Sequence, residues 1–240
     1  MRSARAILPL VTLLPLSGCV TTQQRNERAT LSATRLLASR QPLVVTSRSR
    51  DVRVGRVTLV RGSGGTAVVV ALANGSTTTL TDLPISVGVL SGRRRIYLNR
   101  RGGLDYFQSH VAAIGAQAKV NWVFTTSRRL PRGARPFARV GAPATPAVSH
   151  ATGLPGILAS PLPSSLTRGG VRVHLRNSSQ IPQYGLQVYA LARRGARYVA
   201  AGRATVAHVG TRAATTVQLK LIGSARGASV QSEALPTIFQ

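Results

Sequence analysis

The chain has 240 residues with 32 basic and 5 acidic side chains, which give a formal net charge of +27. So few carboxylates argue against hydrolases that work with paired acids, and the single cysteine excludes an intramolecular disulfide. The fold must therefore be stabilised by a hydrophobic core. Because aromatic residues make up only 4% of the chain, that core is expected to consist mainly of Val, Leu, Ile and Ala.

Residues 1–18 have the layout of an export signal. Arg2 and Arg5 give a basic start, Ala6–Leu16 is a short apolar run, and two small residues follow it. The apolar run is too short, and wrongly flanked, for a membrane span. The sequence therefore predicts a signal peptide and an exported chain.

Cys19 directly follows this segment. The run Leu16-Ser17-Gly18-Cys19 resembles the lipobox of bacterial lipoproteins, in which the cysteine sulfur is acylated with a diacylglycerol and the preceding peptide is removed. The resemblance implies lipid attachment at Cys19 and anchoring to the outer face of a bacterial membrane, either the cell membrane or an outer membrane. Each buried methylene adds roughly 0.8 kcal/mol of membrane affinity, so two or three acyl chains make a stable anchor. The alternative is an ordinary signal peptide cleaved near Gly18, which leaves Cys19 as a free thiol.

Residues 19–46 form a polar segment that predicts a tether. Leu31, Leu36 and Leu37 make a weak helical apolar set, which allows a short helix near the membrane. A plain flexible spacer is the preferred interpretation, and the short helix is the alternative.

From Val44 onward, Val-rich runs alternate with clusters of Gly, Asn, Ser and Pro, which is typical of many short strands. Apolar and polar residues alternate along four of these runs: Ile85–Val89, Val120–Phe124, Val171–Arg176 and Val217–Leu221. One apolar and one polar face are typical of antiparallel sheets. No long segment shows helical periodicity, so the sequence predicts an all-β fold.

The run Gly62-Ser63-Gly64-Gly65 separates two predicted strands. It lacks the Lys-Ser/Thr ending of a phosphate loop, and no predicted helix follows it. A hairpin turn is therefore the better interpretation.

The densest basic run is the candidate site for contact with anions. It consists of Arg93, Arg94, Arg95, Arg100 and Arg101. Guanidinium binds phosphate and carboxylate in a bidentate manner, and a basic surface beside a membrane attracts anionic lipid head groups or anionic wall polymers. A solvated loop on a merely basic surface is the alternative. Nucleic acid is not an expected partner, because an exported lipoprotein seldom meets it and the arginines are not interleaved with aromatic residues.

An internal repeat predicts the domain organisation. Four runs make up the repeat: Val70–Ser76 and Val111–Gly115 in a first copy, Val173–Ser179 and Val206–Gly210 in a second. The copies predict two sandwiches over residues 47–141 and 166–240, joined by a Pro-rich linker over residues 142–165. Part of that linker, around Ile157–Ala159, could instead form the first edge strand of the second copy. The Asn-x-Ser motif that both copies share is interpreted as a turn and not as a glycosylation site.

The order of strand, Asn-x-Ser turn and strand resembles small immunoglobulin-like modules of bacterial surface proteins, such as the FxLYD and CARDB groups. The resemblance covers Thr66–Phe124 and Gly170–Gly223. It implies two tandem antiparallel immunoglobulin-like β-sandwiches that act as spacers or binding platforms.

Residues able to carry chemistry are sparse. Asp82 is expected to bond its own backbone in the turn Thr81–Pro84, and Trp122 is expected in the core. The histidines His110, His150, His174 and His208 are not at metal-ligand spacing, and no nucleophile elbow is present. The sequence thus predicts no enzyme activity, no metal and no cofactor.

The sequence as a whole predicts a lipid-anchored envelope protein that works as a structural or binding module, with a basic surface facing anionic lipids or wall polymers. The alternative is an accessory or solute-binding subunit of an envelope enzyme or transporter. That alternative would require a concave apolar pocket between the two copies.

Overall fold

The computed structural model describes residues 31, 45–100, 104–143 and 154–238. The predicted signal peptide, Cys19, most of the tether, Arg101 and His150 lie outside the described residues. The described chain is all-β and its strands pair in antiparallel fashion, which confirms the predicted fold class.

Seven strands lie in each half of the described chain. The first half contains β1 (Val52–Gly62), β2 (Gly65–Asn74), β3 (Leu80–Ser91), β4 (Arg94–Tyr97), β5 (His110–Ile114), β6 (Lys119–Thr126) and β7 (Arg135–Val140). The second contains β8 (Ile157–Pro161), β9 (Gly170–Asn177), β10 (Gln183–Arg194), β11 (Arg197–Val209), β12 (Ala214–Lys220), β13 (Ile222–Gly223) and β14 (Ser229–Leu235). Short 3-10 turns occur at Tyr106–Gln108 and Pro163–Ser165.

Each half is a sandwich of two sheets with the same plan. In the first, β1, β2 and β6 form one sheet, while β3 pairs with β4, β5 and β7 in the other. In the second, β8, β9 and β12 form one sheet, while β10 pairs with β11 and β14. In the second sandwich the long strand β11 pairs along β10. In the first sandwich the corresponding place beside β3 is occupied by two strands, β4 and β5.

The first strand of the second sandwich lies inside the segment predicted as a linker. β8 pairs with β9 from Ile157 to Pro161, which is the edge-strand possibility noted for that segment. Gly62 also pairs directly with Gly65, so the glycine-rich run forms a hairpin turn as expected. Gly65 adopts φ +127°, which a residue with a side chain rarely does.

The repeated Asn-x-Ser letters mark equivalent buried turns. Asn177 donates from Nδ2 to the carbonyls of Ile181 and Gly210, both at 2.9 Å, and its Oδ1 accepts from the Ser179 backbone N–H. Asn74 makes the same contacts at the end of β2, donating to Thr78 at 2.7 Å and Gly115 at 2.9 Å. In both sandwiches one buried amide therefore fastens the end of a core strand to the loop that precedes its neighbouring strand, which is β6 in the first sandwich and β12 in the second.

The sandwiches pack against each other through their inner sheets. Along β6, Trp122 and Phe124 face the first core, which leaves Val123 on the opposite face, where it is fully buried. Along β10, Tyr189 and Leu191 point away from the second core and join the buried cluster of the first sandwich. The described chain is thus a stack of four sheets, in which β2 and β10 are buried on both faces.

Candidate anion-binding surface

The arginine run singled out in the sequence lies at the hairpin between β3 and β4. Gly92 adopts φ +57° in the turn, and Arg93–Arg95 are exposed around it. Arg100 is also exposed but lies beyond the far end of β4, so the structure does not bring it into this cluster. Arg101 is outside the described residues.

An aromatic pair covers the sheet beside this hairpin. Tyr97 and Phe137 both pair with Gly88 of β3, one from each neighbouring strand, so their side chains share the outer face of the sheet. The rings meet edge to face with centroids 5.4 Å apart. A Cβ at Gly88 would lie 2.3 Å from the Ile96 carbonyl oxygen and 2.5 Å from Phe137 Cζ, so glycine allows both the neighbouring strand and this ring to approach closely.

Arginines surround the pair on the same face. The Arg95 guanidinium lies 5.4 Å from the centre of the Phe137 ring, a cation–π contact that orders a long side chain before any ligand binds. Arg95 and Arg135 both pair with Leu90, and Arg139 pairs with Ser86, which places all three on the outer face. We call Arg95, Tyr97, Arg135, Phe137 and Arg139 the arginine–aromatic face.

A cleft of about 790 Å³ adjoins this face between the start of β1 and the end of β7. Phe137 and Arg139 belong to both the cleft and the face. The other cationic lining residues of the cleft are Arg48, Arg50, Arg53 and Lys119. Asp51 is the one carboxylate among its lining residues, so the cleft is suited to a phosphate or carboxylate ligand.

The charge of this surface is not neutralised by the rest of the described chain. Among the described residues the one salt bridge joins Arg203 to Asp105, at 3.0 Å and away from the face. Unpaired guanidinium groups keep their donors available for an external anion. The cluster predicted at Arg93–Arg95 is therefore one part of a larger basic surface that sequence reasoning did not delimit.

The remaining carboxylates in the described chain have structural partners. Asp82 is not in a turn as expected: it lies within β3 at φ +52° and accepts a 2.6 Å hydrogen bond from the Tyr106 hydroxyl. Gly185 has φ +60° at the matching place in β10, where no side chain is present to bind. Burial, with help from Asp82, raises the pKa of Tyr106 well above its usual value.

His110 stacks on Tyr106 with centroids 4.0 Å apart. Burial lowers the pKa of His110, and the nearby Asp82 carboxylate opposes that shift. Similarly, His208 stacks on Tyr184, whereas His174 is exposed between two arginines on β9, as its alternating strand predicted. No group of three metal-capable side chains occurs among the described residues, and His110 and His208 are explained by packing on tyrosine rings.

Polar side chains cross the junction between the two sandwiches. Glu233 accepts from the backbone N–H of Asn121 at 2.8 Å and from its Nδ2 at 2.7 Å. Arg203 forms the salt bridge to Asp105, while Tyr189 is fully buried and its hydroxyl has no partner among the described residues. Burial raises the pKa of Tyr189. Two of the few acidic residues are therefore used to join the sandwiches.

Sequence reasoning missed this junction, although a signal was present. The runs Ala67–Ala71 and Leu186–Ala192 are almost continuously apolar, which indicates strands buried on both faces. Trp122, by contrast, is fully buried in the first core, as its place in an alternating strand predicted.

The chain matches no protein-family model and has no significant similarity to a curated protein. Within the described part of the chain, no helix has the length and apolar character needed to cross a membrane.

Proposed function

We propose that the chain is a lipid-anchored bacterial envelope protein that acts as a non-enzymatic binding or structural module. Its basic surface contacts phosphate or carboxylate groups of anionic lipids or wall polymers. The observation that carries this proposal is the continuity of the arginine–aromatic face with the basic cleft, across a surface on which Asp51 is the one carboxylate.

The route of the chain supports the same orientation. Val45, near the end of the predicted tether, donates its backbone N–H to Ser86 Oγ at 2.9 Å. Ser86 pairs with Arg139, so the segment that leads from Cys19 reaches the sandwich beside the arginine–aromatic face. In an anchored chain the tether would therefore join the folded part of the protein beside this face.

The alternative, a solute-binding or accessory subunit, has less support. It requires an apolar pocket between the copies, but that junction is filled by buried side chains such as Tyr189 and Leu191. A shallow groove of about 390 Å³ lies at its margin, lined by β8, β14 and the start of β6.

The anchor is tested by fractionation of cells that express the full chain. With a radioactive palmitate label, we expect the wild type in the membrane fraction and labelled, and Cys19→Ser in the soluble exported fraction and unlabelled. An unlabelled wild type, or a Cys19→Ser chain that stays in the membrane fraction, would contradict lipid attachment at this residue.

The basic surface is tested with the full chain carrying Cys19→Ser, so that lipid does not contribute. The hairpin variant (Arg93→Gln, Arg94→Gln, Arg95→Gln) removes three exposed charges. Each exposed ion pair contributes roughly 0.5 kcal/mol, so we expect about tenfold weaker binding to phosphatidylglycerol vesicles and to inorganic polyphosphate. The two probes separate the lipid source of phosphate from the polymer source.

A turn control variant removes the same charge elsewhere, through Arg168→Gln, Arg197→Gln and Arg226→Gln. All three arginines are exposed in the second sandwich: Arg168 and Arg226 lie in loops, and Arg197 is the first residue of β11. We expect this variant to bind within about twofold of the parent chain. Equal losses for both variants would mean that net charge alone drives binding, and the proposed site would be wrong.

A further inference from the structure

A second basic face lies on the far side of the stack. Along β9, Val171, Val173 and Leu175 face the core, while Arg172, His174 and Arg176 alternate with them and are exposed. On the neighbouring strand β12, Gln218 pairs with Arg172. Lys220 lies two residues further along β12, so its exposed side chain is on the same face as Arg172. We call Arg172, His174, Arg176 and Lys220 the distal face.

Nothing on the outer sheet balances this charge. The strands β8, β9 and β12 contain no carboxylate, and none of these basic side chains is in a salt bridge within the described residues. Side chains two residues apart on one face of a strand are separated by roughly 6.7 Å. Arg172, His174 and Arg176 thus form a straight row of evenly spaced donors.

The shape of this face favours a linear ligand. It is an open sheet surface without an aromatic side chain, and the one large apolar side chain it exposes is Leu158, at 62% exposure. A globular protein partner would bury an apolar centre, which this face does not offer. A polymer with regularly spaced anionic groups, laid along β9, would meet one donor at every second residue.

The stack holds the two basic faces apart. The arginine–aromatic face covers the outer sheet of the first sandwich and the distal face covers the outer sheet of the second. Packed sheets lie about 10 Å apart, so the faces are separated by roughly 30 Å. The junction contacts of Glu233 with Asn121 and of Arg203 with Asp105 fix that separation.

We infer that the distal face binds a linear phosphate-bearing polymer and that the protein is bivalent: it bridges this polymer to the anionic surface bound by the arginine–aromatic face. The inference rests on the proposed function for that first contact. It adds to that function a second, independent site for a phosphate-bearing polymer on the opposite side of the molecule.

A two-strand capture assay tests bivalency in the full chain carrying Cys19→Ser. Polyphosphate on beads retains the protein, and fluorescent polyphosphate is then added as the second strand. The distal variant (Arg172→Gln, Arg176→Gln, Lys220→Gln) should stay on the beads through the arginine–aromatic face. It should capture about tenfold less fluorescent strand, because loss of each exposed ion pair lowers the affinity roughly two- to threefold. The turn control variant should capture within about twofold of the parent chain.

The outcomes separate the two proposals. Failure of the parent chain to stay on the beads contradicts polyanion binding, and with it the proposed function. Retention without capture of the second strand contradicts bivalency alone. Equal capture by the parent chain and the distal variant, or an equal loss in the turn control, excludes the distal face as the second site. In a parallel assay, phosphatidylglycerol vesicles replace the fluorescent polyphosphate. If the retained protein captures the vesicles but not polyphosphate, the distal face binds a membrane and not a polymer.

Discussion

The buried turn at Asn177 allows a quantitative test of what the repeat does. The Asn177 side chain donates to two carbonyls at 2.9 Å, and its Oδ1 accepts from the Ser179 N–H at 3.0 Å and from the Ser179 hydroxyl at 2.7 Å. Asn177→Ala removes these four hydrogen bonds. At roughly 1 kcal/mol each, the free energy of unfolding should fall by about 4 kcal/mol, which lowers the melting temperature by roughly 8–16 °C for a chain of this size.

Asn177→Asp sharpens the test, because a carboxylate keeps the acceptor oxygen but places a negative charge against two carbonyls. We expect this variant to be less stable than Asn177→Ala at pH 7. Its carboxyl should have a raised pKa in the folded state, so its stability is greatest below about pH 4, the unfolded value, and is lost as the pH rises through the folded pKa.

Thermal denaturation followed by circular dichroism measures these differences, with Ser178→Ala as the matched control. Ser178 is the next residue, exposed, with one side-chain bond to the Gly156 carbonyl, so its loss should cost less than about 1 kcal/mol. The reasoning is refuted if Asn177→Ala melts with the control, or if Asn177→Asp is as stable as wild type at pH 7.

Three further predictions concern other parts of the molecule. Gly88→Ala places a methyl group against the Ile96 carbonyl oxygen and the Phe137 ring and should cost about 1–3 kcal/mol while weakening polyphosphate binding; an unchanged denaturation midpoint would mean that these groups do not pack closely over Gly88. Because burial lowers the pKa of His110, the unfolded chain takes up a proton first, so stability should fall as the pH drops below about 6.5; His110→Gln should lack that part of the slope. Glu233→Ala leaves the Asn121 N–H at the junction without its acceptor and should cost about 1–3 kcal/mol, measured by urea unfolding, whereas Glu233→Gln, which keeps an acceptor oxygen, should cost less.

Much of the fold could be predicted because local patterns agree with it. The alternation along β9 matches the observed burial at each residue from Val171 to Asn177. The glycine-rich run forms the expected hairpin, and the Asn-x-Ser letters lie at equivalent turns. Each of these features depends on neighbours a few residues away, so the sequence carries its signal directly.

Features that depend on tertiary contacts could not be predicted in the same way. Asp82 was expected in a turn, but its partner Tyr106 lies 24 residues away. The first sandwich has two short strands, β4 and β5, in the place where the second sandwich has the single strand β11. Between β4 and β5 the buried Asn99 side chain bonds to β3 instead: its Oδ1 accepts from the Val87 N–H and its Nδ2 donates to the Ile85 carbonyl.

The candidate surface was predictable only in part. Arg93–Arg95 were found as a dense run, but Arg135 and Arg139 join them through strand pairing of β3 with β7, which no local pattern reveals. The cleft likewise combines residues from β1, β6 and β7. The density of arginines in the sequence identified one basic segment, whereas the register of the sheet determines which arginines lie together on one face.

The most direct test of polyanion binding at the basic surface that the hairpin arginines form with the arginine–aromatic face is a salt series. Binding of the full chain carrying Cys19→Ser to inorganic polyphosphate is measured from low to high ionic strength, and repeated with the hairpin variant. Counterion release lowers the logarithm of the affinity by roughly 0.7 per phosphate contact for each tenfold rise in salt, as for single-stranded nucleic acids, so loss of three contacts should reduce the slope by about 2. Absence of binding at low ionic strength, where screening is weakest, or an unchanged slope in the hairpin variant would contradict the account.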